Sequence, residues 1–423
     1  MMTSYEQARR NEGMWEMDHA PYLRSRRYQG QRCDDHLPAL LIITTSGASS
    51  QMSPIATSAT TNGDSSPSPQ HRVPLQLTGI LDDIPFEEIT PVIGREYTTL
   101  DVRDLLKDPQ SDAKLRELAI ITSRRGVVAL RNQSVTPQEQ QELTARLSLL
   151  SGTPEESGLH IHPVLNGQRD KAYRATGPNG EASADDTISV ISSNFRKKTD
   201  DRLAQIQGGA AGEIHSDITF EPYPSDFSTL NIHTNVDCGG DTVFYSGYEA
   251  YDRLSPAFAR FLEGLEGRYA QPAFQRMAKE GGFQVHAGPR GHAANVGGDL
   301  SATHPVIRTH PVTGWKSLFA VGAHFESFPS LRPDESTLLR AYLLDQVATT
   351  HAAQARVKWQ DTSEGKSTLV VFDNRCVFHA ATPDYFSKGG HRVGTRVVSV
   401  GEKPYFDAGS ISRRDELGGE RYI

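Results

Sequence analysis

The sequence is poor in cysteine. Cys33, Cys238 and Cys376 are its three, far apart and odd in number. That excludes a disulfide framework and a cysteine-built zinc site, and it fits a reducing compartment. Long apolar runs are missing too. No stretch approaches the ~18 residues of a membrane helix, and Ala39 to Ile43 is too short for a span or a signal peptide. Nor is there an excess of positive charge, since 44 Lys and Arg against 52 Asp and Glu give a net charge of −8. Without a basic field the chain has no electrostatic hold on nucleic acid. These absences leave a soluble, cytoplasmic globular protein. Its expected partners are small molecules and, at most, further copies of itself, with neither nucleic acid nor membrane among them.

Residues 1–75 lack the pattern of a fold. Thr44 to Gln70 is dominated by Ser, Thr, Ala, Gly and Pro without apolar periodicity, so a disordered extension is expected. One domain over 76–410 and a short tail over 411–423 should follow. Arg125 to Arg131 reads as a buried strand. Thr136, Pro137 and Glu139 then mark a helix start with a capping box, and Leu143, Leu147 and Leu150 form its apolar stripe. From Gly152 to Ala211 the chain is polar and Gly-rich around one strand-like run, Ile188 to Ile191, as in a functional loop or lid.

The second half alternates in the same way. Thr229 to Asn235, the turn Cys238 to Asp241 and Thr242 to Tyr245 read as a hairpin. Leu369 to Phe372, the turn Asp373-Asn374-Arg375 and Cys376 to His379 read as another. Between them Ser255 and Pro256 open a helix with Phe258, Phe261, Leu262 and Leu265 on its apolar face. A Gly-rich segment over 281–298 reads as a mobile loop. A helix over Asp334 to Ala353 should turn Leu338, Leu339, Tyr342 and Leu343 inward, and Arg392 to Val400 is the final strand. The fold class is therefore mainly β with flanking helices, an antiparallel barrel or jelly roll.

The chemistry concentrates in Gly212 to Phe220. Ile214, Ile218 and Phe220 are β-formers, so an extended segment is expected, with His215 and Asp217 on one face. An imidazole and a carboxylate presented together are two of the three ligands in the 2-His-1-carboxylate triad of non-heme Fe(II) oxygenases. His-x-Asp by itself is a weak signal. His379, closing an apolar strand far downstream, is placed to supply the third ligand. Arg392 and Arg396 share one face of the last strand. Guanidinium groups aimed into a barrel need anions to meet them, and their planar fork suits a carboxylate or sulfonate.

Residues from about 85 to 407 resemble the taurine dioxygenase family of Fe(II)/2-oxoglutarate-dependent oxygenases, including its fungal sulfonate dioxygenase branch. The motifs are Leu159-His160-Ile161-His162-Pro163-Val164, His215-Ser216-Asp217-Ile218-Thr219-Phe220, Gly239-Gly240-Asp241-Thr242 and Arg308-Thr309-His310-Pro311-Val312-Thr313-Gly314. Phe372-Asp373-Asn374-Arg375, His379 with Pro383-Asp384-Tyr385, His391-Arg392-Val393-Gly394-Thr395-Arg396 and Gly401-Glu402-Lys403-Pro404 continue in the family's order. The resemblance implies a double-stranded β-helix (jelly roll) that uses Fe(II), 2-oxoglutarate and O2. It makes His215, Asp217 and His379 the iron ligands and gives the distal carboxylate of 2-oxoglutarate to Thr242 and Arg392. Arg396 matches the arginine that meets the substrate sulfonate near the cosubstrate's other carboxylate, and His162 and Ile218 fall on the substrate side.

The chain also departs from the taurine pattern. Leu165 stands where the taurine enzyme has tyrosine, Ala211 where it has asparagine, and Ile214 where it has tryptophan. Two residues are inserted between Tyr385 and Arg392. These changes remove polar groups near the expected substrate amine and favour a larger or less polar molecule than taurine. The expected reaction hydroxylates a small anionic substrate, an alkyl sulfonate above all, which would release sulfite and an aldehyde beside succinate and CO2. The alternatives are the same chemistry on a carboxylate or secondary metabolite, and an anion-binding barrel without turnover.

Overall fold

The computed structural model describes residues 73–166, 185–193, 213–319, 321–359, 365–385 and 391–419. The expected extension up to Arg72, most of the loop between Gly152 and Ala211, and the insertion before Arg392 lie outside them. In chain order the strands are β1 Phe86–Glu88, β2 Arg95–Tyr97, β3 Val127–Gln133, β4 Ile188–Ser192, β5 Ser225–Thr234, β6 Thr242–Ser246, β7 Glu266–Ala270 and β8 Ser301–Pro305. Then come β9 Ile307–Thr309, β10 Lys316–Leu318, β11 Phe325–Ser327, β12 Gln354–Val357, β13 Ser367–Asp373, β14 Val377–Ala381 and β15 Val393–Val400. The helices are α1 Val102–Lys107, α2 Ser111–Arg125, α3 Pro137–Leu150, α4 Gly247–Asp252, α5 Pro256–Glu263, α6 Pro272–Gly281, α7 Pro333–Thr349 and α8 Arg413–Leu417.

Local signals are met where they rest on neighbouring residues. Thr136 caps α3, and the capping box with Glu139 closes in both directions. Ser255 caps α5 at the Phe258 amide. The long sheet runs β1-β2-β3-β13-β5-β15-β4, and a second sheet runs β12-β6-β14. Along β13 the side chains alternate between two cores. Leu369 and Val371 pack with Leu115 and Leu118 of α2 and Leu143 and Leu147 of α3. Val370 and Phe372 pack with Phe244, Val357 and Val377 of the second sheet. The metal centre described below lies where the two sheets meet.

Both expected hairpins are corrected. β5 pairs with β13 and β15, whereas β6 pairs with β12 and β14. β13 and β14 likewise belong to different sheets. Each short turn carries the chain from one sheet to the other, because the inner faces of these strands are covered by the facing sheet.

Three further expectations change. Leu338 and Tyr342 are 74% and 47% exposed, while Leu339, Leu343 and Val347 form the inner stripe of α7. Phe261 also faces outward, at 45%. The segment 281–298 is pinned rather than loose. Arg290 is fully buried, donates from Nε and Nη2 to both oxygens of Glu221, and holds the His286 and Gly297 carbonyls with Nη1. Within the expected C-terminal tail, α8 is anchored by Arg414, whose Nη2 lies 3.0 Å from Glu249 Oε1. No described helix is long and apolar enough to cross a membrane.

Candidate metal centre

His215 and His379 face each other across an isolated antiparallel bridge. Their backbones exchange two hydrogen bonds, His215 N–H to the His379 carbonyl at 3.0 Å and the reverse at 2.7 Å. The ring centroids stand 4.3 Å apart. After this one bridge the chain does not continue as a strand, contrary to the extended segment expected. It turns at Ile218, which sits at φ +48°, and Glu221 N–H closes the turn on the Ile218 carbonyl at 3.0 Å. A β-branched residue in the left-handed region is a strained position. The turn, not strand alternation, brings the Asp217 carboxylate between the two imidazoles. Asp217 Oδ1 lies 3.7 Å from His215 Nε2 and 3.9 Å from His379 Nε2.

The groups around these three side chains orient them. His215 Nδ1 donates to the Glu213 carbonyl at 2.7 Å, which fixes the ring with Nε2 toward the centre. Ser228 Oγ donates to Asp217 Oδ2 at 2.7 Å, and Asn374 Oδ1 accepts from the Asp217 amide at 2.9 Å. Asn374 Nδ2 in turn donates to Ser228 Oγ at 2.9 Å. Arg396 Nη1 donates to Asp217 Oδ1 at 2.8 Å. Burial pushes the Asp217 carboxyl up, but Arg396, His379 and His215 outweigh it and hold the group well below the ordinary carboxylate range. Burial, then the neighbouring His215, pushes His379 down to about 3, so it is a neutral imidazole. The two imidazoles and one ionised carboxylate are the donor set that suits Fe(II) with positions left open.

The turn Asp373-Asn374-Arg375 earns its place in the motif by holding Asn374. Arg375 grips Asp373 through Nε at 2.8 Å and Nη2 at 2.7 Å, and Ser123 Oγ and His310 Nε2 fill the remaining lone pairs at 2.7 and 3.0 Å. His310, Asp373 and Cys376 are close enough together to suggest a second metal site. The carboxylate is already saturated by donors, so the cluster is a buried brace.

Sequence reasoning missed His324. Its ring stands 5.7 Å from that of His215 and 5.1 Å from Phe220, and Nδ1 lies 3.0 Å from Thr219 Oγ1. The loop that carries it is locked onto the segment that carries His215, Ala323 N–H donating to the Ile214 carbonyl at 2.8 Å. A single histidine in an apolar loop gives no sequence signal. His162 is buried, with its Nδ1 accepting from the Val164 and Leu165 amides. Its ring lies 5.1 Å from Phe274, which lies 5.8 Å from Phe220. A row of rings thus runs from His162 through Phe274, Phe220 and His324 to the ligand His215. Ile218 is buried beside Phe220. On the other flank, Arg392 Nη2 donates to Thr242 Oγ1 at 3.5 Å, so the structure brings together these two residues, 150 positions apart.

A family profile, "Taurine catabolism dioxygenase TauD, TfdA family", matches residues 85–398. The chain belongs to this family. Among its TauD/TfdA relatives is the alpha-ketoglutarate-dependent dioxygenase esdpJ of Penicillium shearii, 36% identical over 82% of this chain and 97% of the relative. The putative alpha-ketoglutarate-dependent sulfonate dioxygenase of Schizosaccharomyces pombe is 31% identical over 80% of this chain and 78% of its own. A crystal structure of a putative alpha-ketoglutarate-dependent taurine dioxygenase from Burkholderia xenovorans shares the fold, with a TM-score of 0.56 and 23% identity over 77% of this chain and 93% of that one. The TauD/TfdA chain described here is an Fe(II)- and 2-oxoglutarate-dependent dioxygenase, an oxidoreductase that uses O2.

Proposed function

We propose that this dioxygenase hydroxylates a small anionic organic substrate, an alkyl sulfonate above all. The observation that carries the proposal is Arg396. Its guanidinium stands at the metal face with Nη1 on Asp217, while Nε is buried and has no hydrogen-bond partner among the described residues. A buried donor left over beside the reacting centre favours an anion that arrives with the substrate. The S. pombe relative, a putative sulfonate dioxygenase, supports a sulfonate. The row of rings, together with Leu165 and Ile214, favours a second reading in which the same chemistry acts on a larger carboxylate or secondary metabolite.

In this reading His215, Asp217 and His379 hold iron. Thr242 and Arg392 receive the distal carboxylate of 2-oxoglutarate, Arg396 lies near its other end, and His162 and Ile218 border the substrate. Bound iron supplies the coupling of 2-oxoglutarate decarboxylation to C–H hydroxylation. The protein's own part is to keep the His379 imidazole neutral, the Asp217 carboxylate ionised and the substrate anion beside them. A sulfonate-bearing carbon, once hydroxylated, releases sulfite and an aldehyde. The two sheets form a double-stranded β-helix over 76–410, after a dispensable extension, in a cytoplasmic enzyme.

The test is anaerobic. Fe(II) and then 2-oxoglutarate should give the weak visible charge-transfer band of the chelate. Admitting air with a panel of sulfonates and carboxylates should give succinate and, from a sulfonate, sulfite. His215→Ala, Asp217→Ala and His379→Ala should each abolish iron-dependent succinate formation. No chelate band would favour an anion-binding barrel without turnover, and full turnover in any of the three variants would refute the assignment.

A further inference from the structure

The cosubstrate end of the site contains a residue that no motif pointed to. Trp359 is 2% exposed, and Cζ of Arg392 stands 5.5 Å from the centroid of its ring. The strand register explains the meeting. Val357 pairs with Thr242, so Trp359, two residues further on, passes the end of β6 on the side where the chain reaches Gly240. Gly240, at φ +72°, leaves the room this packing needs. A Cβ there would stand 3.2 Å from Arg392 Cδ and 3.1 Å from Tyr385 Cδ1. Arg392 is therefore enclosed by an indole face, the Thr242 hydroxyl and a side-chain-free backbone.

Packing alone does not explain the indole. Its Nε1 is buried without a hydrogen-bond partner among the described residues. A leucine or phenylalanine would fill the space without burying an orphan N–H group. What an indole does better than any other side chain is hold a cation over its face, and the attraction grows when both groups are desolvated.

We propose that Trp359 is a positioning residue for 2-oxoglutarate, its face holding the Arg392 guanidinium in the orientation that meets the distal carboxylate. The proposal rests on the reading that Arg392 binds that carboxylate. A long, rotamer-rich side chain fixed before the ligand arrives leaves less to be ordered on binding, so affinity rises without a new ligand contact. The distal carboxylate is the end of the cosubstrate remote from iron, so Trp359 acts on selection of the oxo acid and not on metal binding.

The experiment uses the full chain loaded with Mn(II) and calorimetric titration with two acids. One is 2-oxoglutarate, and the other is 2-oxopentanoate, in which a methyl group replaces the distal carboxylate. Trp359→Leu should weaken 2-oxoglutarate by about tenfold, the loss of a desolvated cation–π contact, and leave 2-oxopentanoate and Mn(II) binding unchanged. Trp359→Phe, with a weaker ring face, should fall between wild type and the leucine variant. Equal weakening of both acids, or no weakening of either, would overturn the proposal. Should the leucine variant not fold, the phenylalanine variant decides on the same ratio of affinities. Arg392→Gln separates the two readings. If it leaves discrimination between the acids intact, the Arg392 assignment itself fails. If it abolishes discrimination while the Trp359 variants do not change it, only the role of Trp359 fails.

Discussion

Arg396 and Asp217 form an ion pair inside the metal centre. Nη1 lies 2.8 Å from Oδ1, the same carboxylate oxygen that stands 3.7 Å from His215 Nε2. The arginine expected to serve the substrate thus also pairs with the carboxylate of the candidate metal centre. Its charge is satisfied on one side and available on the other.

Two effects of Arg396→Ala follow. An anionic substrate should bind more weakly by about 2–5 kcal/mol, the range for removing one member of a buried charge pair. Decarboxylation of 2-oxoglutarate without substrate should persist, because the three ligands and Arg392 remain. Substrate KM and substrate-free succinate formation, measured side by side, check both. Loss of 2-oxoglutarate binding with substrate affinity kept would reverse the roles given to the two arginines.

Asn374 is not itself an expected ligand, yet it holds the Asp217 amide and Ser228, which in turn holds the carboxylate. Asn374→Ala should lower metal affinity by about 10–100-fold, as is usual when a group orienting a ligand is lost. Thermal stability should fall as well, because Ser225 and Ser228 lose a buried donor. Metal titration of the purified variant reads the first effect directly, and unchanged affinity would show the hydrogen bonds to be merely structural.

Gly322 is packed against the segment Ile214–His215. A Cβ at this position would overlap the Ile214 carbonyl oxygen and stand 3.1 Å from His215 Cα. Gly322→Ala must therefore shift backbone, at roughly 1–3 kcal/mol for overpacking, and the shift falls on the segment that carries His215. A lower melting temperature together with weaker metal binding is expected. A variant with both properties intact would mean that the loop yields instead of that segment.

Acid sensitivity follows from His304 on β8. Burial, with Arg308 adding to it, pushes this imidazole down to about 3, while Nε2 stays near the Thr219 and Glu221 carbonyls. In the unfolded chain the ring titrates near 6.5. Between those values the unfolded state binds a proton that the folded state does not. This contribution is therefore intact above pH 6.5 and is lost as pH falls toward 3, by roughly 2 kcal/mol at pH 5. His304→Gln should flatten the pH dependence of the denaturation midpoint over that window, whatever it does to absolute stability. An unchanged slope would remove His304 from the acid response.

What the sequence determined by itself is the set of features whose cause is local or chemical. The capping box of Thr136 and Glu139 is closed by residues three apart, so the helix start is legible without any fold. His215, Asp217 and His379 are legible as candidate ligands because few side chains donate to iron, and Thr242 and Arg392 are legible as a candidate carboxylate clamp through the family resemblance. Tertiary structure decided everything that depends on which surfaces face each other. The hairpins failed because β5 and β6 alternate like paired neighbours, while their true partners lie as far away as β13 and β12. Leu338 and Leu339 are equally apolar, and only the packing of α7 buries one and exposes the other. His324 and Trp359 carry no motif at all. A loop locked on Ile214 brings the first to the metal ligand, and the register of Val357 on Thr242 brings the second to Arg392. Donor chemistry is written residue by residue, whereas proximity is a property of the closed sheets.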